Sequence, residues 1–440
     1  LRIGVIGCGY IGLVTGSGLA KLGHQVTCTD RNKEIINSLK QGVVPFYEPG
    51  LTGLVKEGFS QCSLAFTHNL STAVQEKDVI IMAVGTPAMA TGEVDLRDLF
   101  SVAGELSSLV SPATVIVIKS TVLPGTIRRL EELFEQEGNP KNLAVVANPE
   151  FLREGSAVKD FFHPHRIVLG GREDWALAKM QQLYEKLAAP VLVTDSVSAE
   201  LIKYAANTFL ATKISFINEM ARICQLAGAD IEVVAKGMGM DKRIGHEFLR
   251  PGVGFGGSCL PKDTLGLVKW SETLGYSPEI VRAAVEVNRR QRSWVIDTVK
   301  KSLGDSRGKK ITVLGLSFKP DTSDIREAPA LDIIKRLRAE GASLRVYDPV
   351  VRQDAHPVLS AVDFGSNSYE ALEGADCCIL LTEWTEFREL DFVKVREIMN
   401  EPVIIDGRNL LKPQKVKRLG FKYYDMGRSH CLKHDKWEYL

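Results

Sequence analysis

No surplus of either charge marks this sequence: 55 lysines and arginines meet 54 aspartates and glutamates in 440 residues, a formal net charge of +1. With no global field to gather a polyanion, nucleic acid is not an expected partner. No apolar run approaches the ~18 to 20 residues that span a bilayer. The opening LRIGVIGCG breaks into glycine too soon for the apolar core of a signal peptide. The expectation is a protein that stays in the cytoplasm, with no membrane partner. Paired-cysteine spacing is missing too. Cys8, Cys28, Cys62, Cys224, Cys259, Cys377, Cys378 and Cys431 include no C-x-x-C, which fits a reducing compartment and leaves most of them as small hydrophobes. His430, Cys431 and His434 lack a second ligand cluster, so no metal site is expected.

The chain does have the means for a sizeable core. Hydrophobic residues make up 45% and charged residues 25%, ordinary for a globular protein of about two or three domains. Strand, glycine turn, amphipathic helix and second strand follow one another in RIGVIGCGYIGLVTGSGLAKLGHQVTCTD, one βαβ unit ending in Asp30. Apolar strands recur at DVIIMAV, TVIVIKST, LAVVANPE and RIVLGG, which predicts an α/β domain over 1–196 with a doubly wound, mostly parallel sheet. The texture of 197–300 is helical, broken once by PGVGFGGSCLPKD, and SPEIVRAAVEVNRRQRSWVIDTVKKSL reads as a long connecting helix. From KKITVLGLSF the strand and helix rhythm returns and again ends in an aspartate, Asp348, which predicts a second α/β domain over 301–440.

Gly7, Gly9 and Gly12 form G-x-G-x-x-G after a strand and at the start of a helix. That context makes the first domain Rossmann-like: a tight turn, close backbone approach to a pyrophosphate, and helix packed on strand. Asp30 stands where a carboxylate binds ribose hydroxyls, favouring NAD over NADP; Arg31 beside it is the complication, since it could neutralise a 2′-phosphate. The second α/β domain lacks the glycine fingerprint. Cys259 follows Gly256, Gly257 and Ser258, and Pro261 is tolerated only in a first helical turn, so the thiol is placed at a helix N-terminus. The dipole there lowers a thiol pKa, while Asp263 four residues on raises it. A buried cysteine in a tight loop is the plainer alternative. Lys203 and Asn207 lie i, i+4 on one helix face among apolar neighbours; a lysine so placed is either directed at a site or snorkelling.

Taken together, GCGYIG, VGTP, KSTVLPGT, NPEFLREGSA, AELIKYAANTFLATKISFINE, RIGHEFLRPGVGFGGSCLPKD and FKPDTSDIREAP closely resemble the UDP-glucose/GDP-mannose dehydrogenase family, in order from the first residues to DGRNLL at 406–411. The resemblance implies four-electron oxidation of a sugar primary alcohol to a carboxylate with two NAD in turn, UDP-glucose giving UDP-glucuronate. It makes Cys259 the nucleophile, Asp263 the residue that orients water, Lys203 and Asn207 the stabilisers of an oxyanion-like oxygen, and Thr121 and Glu150 the holders of water and protons. Which of Thr121, Asp263 and Lys203 is the base stays open. For the cofactor it adds Thr86, Thr121, Glu154 and Arg326. For the nucleotide sugar it gives Leu152, Lys203, Asn207, Phe248, Arg250, Gly256, Phe318, Lys319 and Arg408, and it makes the 301–440 domain the UDP-sugar-binding one. Arg243 is expected from a neighbouring subunit, which implies a homodimer or higher homo-oligomer built on the central helices. Arg250 departs from the asparagine or lysine common in relatives. Two rivals stand beside this reading: a two-electron dehydrogenase with a structural Cys259, and a non-catalytic nucleotide-sugar sensor. GDP-mannose or an N-acetylated UDP sugar is the alternative substrate.

Overall fold

The computed structural model describes residues 1–138 and 142–428; His430, Cys431 and His434 lie outside them. The chain divides into two compact units, one built from Leu1–Ala206 with Leu265–Gly275, the other from Asn207–Thr264 with the chain from Tyr276 onward.

In the first unit, strands β1 (Arg2–Ile6), β2 (Gln25–Thr29), β3 (Leu64–Thr67), β4 (Val79–Met82), β5 (Val115–Ile118), β6 (Ala144–Ala147), β7 (Ile167–Gly170) and β8 (Val191–Thr194) form one sheet in the order 3-2-1-4-5-6-7-8. VIIM, VIVI and AVVA of β4 to β6 are buried throughout, as strands must be when helices cover both faces of a parallel sheet. One pair departs from the parallel pattern: β7 runs antiparallel to β6. The connection between them carries a helix of only six residues, Ala157–Phe162, and the chain returns beside β6 in the opposite sense. The sheet is therefore mixed.

In the second unit, β9 (Lys310–Leu314), β10 (Ser343–Tyr347), β11 (Asp363–Phe364), β12 (Cys377–Leu380), β13 (Val403–Asp406) and β14 (Lys422–Asp425) form an all-parallel sheet in the order 11-10-9-12-13-14. In each sheet the strand order reverses beside its first strand, β1 or β9, and such a reversal opens a crevice at the strands' carboxyl ends. The turn after β9 repeats the one after β1. Gly315 has φ +94° and its N–H reaches the Tyr347 carbonyl at 2.9 Å, as Gly7, with φ +99°, reaches the Thr29 carbonyl at 2.8 Å.

Two long helices, Ser196–Ala227 and Glu279–Leu303, answer the helical texture of the middle. The first gives its opening residues to one unit and the rest to the other. Among the described residues no helix is long and apolar enough to cross a membrane.

Candidate active site

The turn after β1 is shaped for close approach of a ligand. Gly7 holds a left-handed conformation that side chains disfavour. A Cβ on Gly12 would lie 1.8 Å from the Gly7 carbonyl oxygen, whereas one on Gly9 would meet nothing within 4 Å. Gly12 is thus required by packing, and Gly9 faces the open side where a pyrophosphate belongs, at the start of helix Tyr10–Lys21. Asp30 closes the end of β2, accepting the Cys8 N–H at 2.8 Å through one oxygen and the Asn32 N–H at 2.9 Å through the other. The residues present fit a dinucleotide. Arg31 is tied to Asp98, Nη2 to Oδ2 at 3.0 Å, so its charge is already met by a carboxylate and does not call for a 2′-phosphate.

Past β4 and β5 the chain brings two expected cofactor residues together: Thr86 Oγ1 donates to the Thr121 carbonyl at 2.8 Å. Beyond β6, Glu150 is buried and accepts the Leu152 N–H at 2.6 Å and the Lys203 ammonium at 2.9 Å. Lys203 is 3% exposed, which decides against a snorkelling lysine. Its Nζ also stands 5.5 Å from the centre of the Phe151 ring. Glu154 lies half-buried in the same loop, NPEFLREGSA.

In the second unit the cysteine loop is held on every side by contacts that leave no room for side chains. A Cβ on Gly256 would lie 2.5 Å from the Glu327 carbonyl oxygen, and one on Gly257 would lie 2.8 Å from the Phe318 ring. Asn288 fixes the loop by accepting the Phe255 N–H at 2.7 Å and donating to the Phe255 carbonyl at 3.1 Å. The helix that follows, Leu260–Thr273, begins immediately after Cys259. The Cys259 carbonyl accepts the Asp263 N–H at 2.8 Å, which makes the partly exposed Cys259 the N-cap of that helix. Its Sγ is 3.5 Å from Ser258 Oγ. Asp263 is fully buried and accepts from Asn207 Nδ2 at 2.6 Å and from Lys262 Nζ at 2.6 Å. Lys262, its sequence neighbour, is thus the cation that meets the Asp263 charge.

The remaining second-unit residues fall into two groups. Arg408 donates Nε to the Leu381 carbonyl at 2.8 Å and Nη2 to the Phe318 carbonyl at 3.2 Å, and its Nη1 lies 3.0 Å from where a Gly252 Cβ would sit. The Lys319 ammonium stands 5.3 Å from the Phe318 ring centre, and the Arg326 carbonyl accepts the Gly257 N–H at 2.9 Å. Phe318, Lys319, Arg326 and Arg408 are thus gathered around the cysteine loop. Arg243 stands apart, with its side chain 89% exposed and paired to Asp241 at 2.6 Å. Phe248 holds a left-handed φ of +63°, and Arg250 is exposed.

Residues 1–188 match the family model described as the UDP-glucose/GDP-mannose dehydrogenase family, NAD binding domain; 197–290 match its central domain and 312–413 its UDP binding domain. The chain belongs to the UDP-glucose/GDP-mannose dehydrogenase family. It is similar to UDP-glucose 6-dehydrogenase TuaD of Bacillus subtilis, 44% identical over 429 residues that cover 97% of this chain and 93% of the relative. The UDP-glucose 6-dehydrogenase of Rhizobium meliloti is 42% identical over 435 residues, 97% of this chain and all of the relative. Among solved structures, a UDP-glucose dehydrogenase from Pyrobaculum islandicum superposes with a TM-score of 0.91 at 36% identity, covering 97% of each chain. The UDP-N-acetyl-mannosamine dehydrogenase Cap5O from Staphylococcus aureus follows at 0.82 and 26%, covering 97% of this chain and 98% of that one.

Within this dehydrogenase family fold, several residues that shape the site escaped the sequence reading. Asn288 sits in a long helix whose pattern is merely amphipathic, and nothing local marks it as the clamp of a loop 33 residues away. Lys119 follows the apolar strand VIVI directly and is buried; a lysine closing a fully apolar strand was the available signal. Glu200, three residues before Lys203, accepts the Gly125 and Ile127 N–H groups at 2.6 and 2.8 Å and so caps helix Thr126–Gln136. Burial pushes its carboxyl up to about 7.

Proposed function

We propose that this chain oxidises UDP-glucose to UDP-glucuronate in two successive two-electron steps, with Cys259 as the covalent nucleophile. The observation that carries the reading is a partly exposed cysteine serving as N-cap of helix Leu260–Thr273, four residues before a buried carboxylate that accepts from the Lys262 ammonium and the Asn207 amide. Five other described cysteines are buried, and Cys62 lies on the surface.

NAD, held by the Gly7 to Gly12 turn and Asp30, supplies the hydride acceptor when bound. The chain's residues do the rest. In the first step the sugar's C6 hydroxyl loses its proton as its carbon loses hydride, and Lys203 with Asn207 steadies the charge gathering on oxygen. The Cys259 thiolate then adds to the aldehyde carbon, and the carbonyl oxygen takes up a proton to give a thiohemiacetal. Loss of a second hydride and that same proton leaves a thioester. Asp263 and Glu150 direct water onto the thioester carbonyl; the C–S bond breaks, the thiol recovers its proton, and the carboxylate leaves. In this reading residues 1–196 carry the cofactor, 197–300 the thiol and the subunit contact, and 301–440 the UDP-sugar through Phe318, Lys319 and Arg408. UDP-glucose is favoured over N-acetylated sugars by the higher identity to UDP-glucose 6-dehydrogenases.

Counting NADH formed per UDP-glucose consumed tests the proposal. Two equivalents are expected from the native chain, and Cys259→Ala should fall by at least about a thousandfold in acid formation. One equivalent, or acid formation by Cys259→Ala at the native rate, would sink it.

A further inference from the structure

Arg31 follows Asp30 directly after β2, and an arginine near that place is what a dinucleotide fold uses to accept the 2′-phosphate of NADP. The structure turns it elsewhere. Its Nη2 lies 3.0 Å from Asp98 Oδ2, on a distant part of the chain, while its neighbour Asp30 accepts backbone N–H groups instead. A second pair leaves Asp98 to Arg31. Arg97, beside Asp98, is held by Asp95, Nε donating to Oδ1 at 2.9 Å and Nη2 to Oδ2 at 2.6 Å.

Asp98 stands in the first turn of helix Arg97–Ser107, where the helix dipole favours a charged carboxylate. With Asp95, Arg97, Gly85 and Pro87 it lines a cavity of about 360 Å³. Gly85 and Pro87 flank the expected cofactor residue Thr86, just past β4, and β4 pairs with β1, the strand that leads into the glycine turn. The cavity thus lies at the carboxyl ends of the strands, where a dinucleotide belongs. Both side chains of the ion pair are open to solvent, Arg31 at 84% and Asp98 at 49%. An exposed pair of this kind adds little to stability; what it decides is where the guanidinium stands.

We infer that Asp98 is a positioning residue for cofactor choice: by holding the Arg31 guanidinium at the first turn of helix Arg97–Ser107, it withholds from a 2′-phosphate the cation that stands next to Asp30. The inference concerns the cofactor alone and holds whether one or two hydrides leave the sugar. A ribose with a free 2′-hydroxyl needs an acceptor, which Asp30 supplies. A 2′-phosphate there sets negative charge against the Asp30 carboxylate, and it gains Arg31 as a partner only by breaking the pair with Asp98. Selectivity then has an attractive element in Asp30 and a withheld partner in Arg31.

Calorimetric titration of the full chain with 2′,5′-ADP and with 5′-ADP tests this without turnover. Asp98→Asn removes the charge and keeps the shape. It should raise the affinity for 2′,5′-ADP relative to 5′-ADP about tenfold, because a freed guanidinium makes charge-assisted hydrogen bonds to phosphate. Adding Arg31→Ala to Asp98→Asn should abolish that gain. In steady-state assays, kcat/KM for NADP relative to NAD should rise about tenfold in the single variant and fall back in the double one. A merely structural ion pair would shift the denaturation midpoint and leave both ratios unchanged. If Asp98→Asn does not fold, Asp98→Ser carries the same expectations. An unchanged affinity ratio in the charge-removing variant overturns the inference. So does a gain that persists without Arg31, since the carboxylate would then act on the phosphate directly.

Discussion

Asp30 and Asp348 end β2 and β10, equivalent strands of two similar sheets, yet their carboxylates are spent differently. Asp348 is 3% exposed and accepts from the Leu316, Ser317, Val350 and Val351 N–H groups, the Ser317 hydroxyl and Trp384 Nε1. It is a structural knot with no capacity left for a ribose. Asp30 accepts two backbone N–H groups and stays partly exposed. Asp348→Ala should thus cost about 3 kcal/mol or more by leaving several buried donors unpaired, read as a shifted denaturation midpoint. Asp30→Ala should change stability little and raise KM for NAD about tenfold or more, since a lost hydrogen bond to a charged group is worth about 1.5 to 3 kcal/mol. The sequence displays the two aspartates alike because their distinguishing partners, Ser317 and Trp384, stand 31 and 36 residues away. The glycine fingerprint was legible as a local pattern in the right context, whereas Cys259 and the i, i+4 pair of Lys203 and Asn207 stood out locally but each kept a plain structural alternative that the pattern alone did not remove. The carboxylates that hold that pair, Glu150 and Asp263, lie 53 and 56 residues from their partners, and only the family resemblance joined Glu150 to the site.

At the scale of elements, what the sequence showed was set by burial. Strands with four consecutive buried residues announced themselves; β3, β8, β11 and β14 did not, being edge strands that are less completely buried, with β8 exposed along most of its length. The antiparallel turn into β7 also left no mark, since direction is fixed by how the connection packs. The cysteine loop is the element whose rigidity matters most to the proposed chemistry. Its glycines are demanded by named neighbours: Gly254, at φ +101°, would place a Cβ 2.6 Å from Asn288 Oδ1, and Gly256 would press on the backbone of Glu327. Backbone cannot yield as a side-chain tip can. Gly256→Ala should therefore displace the loop and the thiol with it, lowering kcat/KM for UDP-glucose by about a hundredfold while KM for NAD stays within about twofold. Steady-state kinetics with each substrate varied in turn measures this, and an unchanged kcat/KM would show that the loop tolerates displacement.

For the whole molecule, the proposed subunit contact rests on exposed apolar side chains that one copy leaves unpartnered. Phe209, Phe216 and Ile223 recur every seven residues along helix Ser196–Ala227 at 65%, 43% and 50% exposure. A seven-residue apolar repeat is a seam along which helices of two copies can pack. The exposed Arg243 has its proposed role only if it reaches the site of a second copy. These two features are testable together. Phe209→Glu with Phe216→Glu should shift the chain toward monomer in sedimentation and abolish activity at the same protein concentration. Arg243→Ala and Cys259→Ala should each be inactive alone. Equal amounts of the two, unfolded and refolded together, should regain about one quarter of native activity, because half of randomly formed dimers are mixed and each mixed dimer owns one intact site of two. A site completed within a single copy would regain nothing, since every copy in the mixture would then lack either its thiol or its guanidinium.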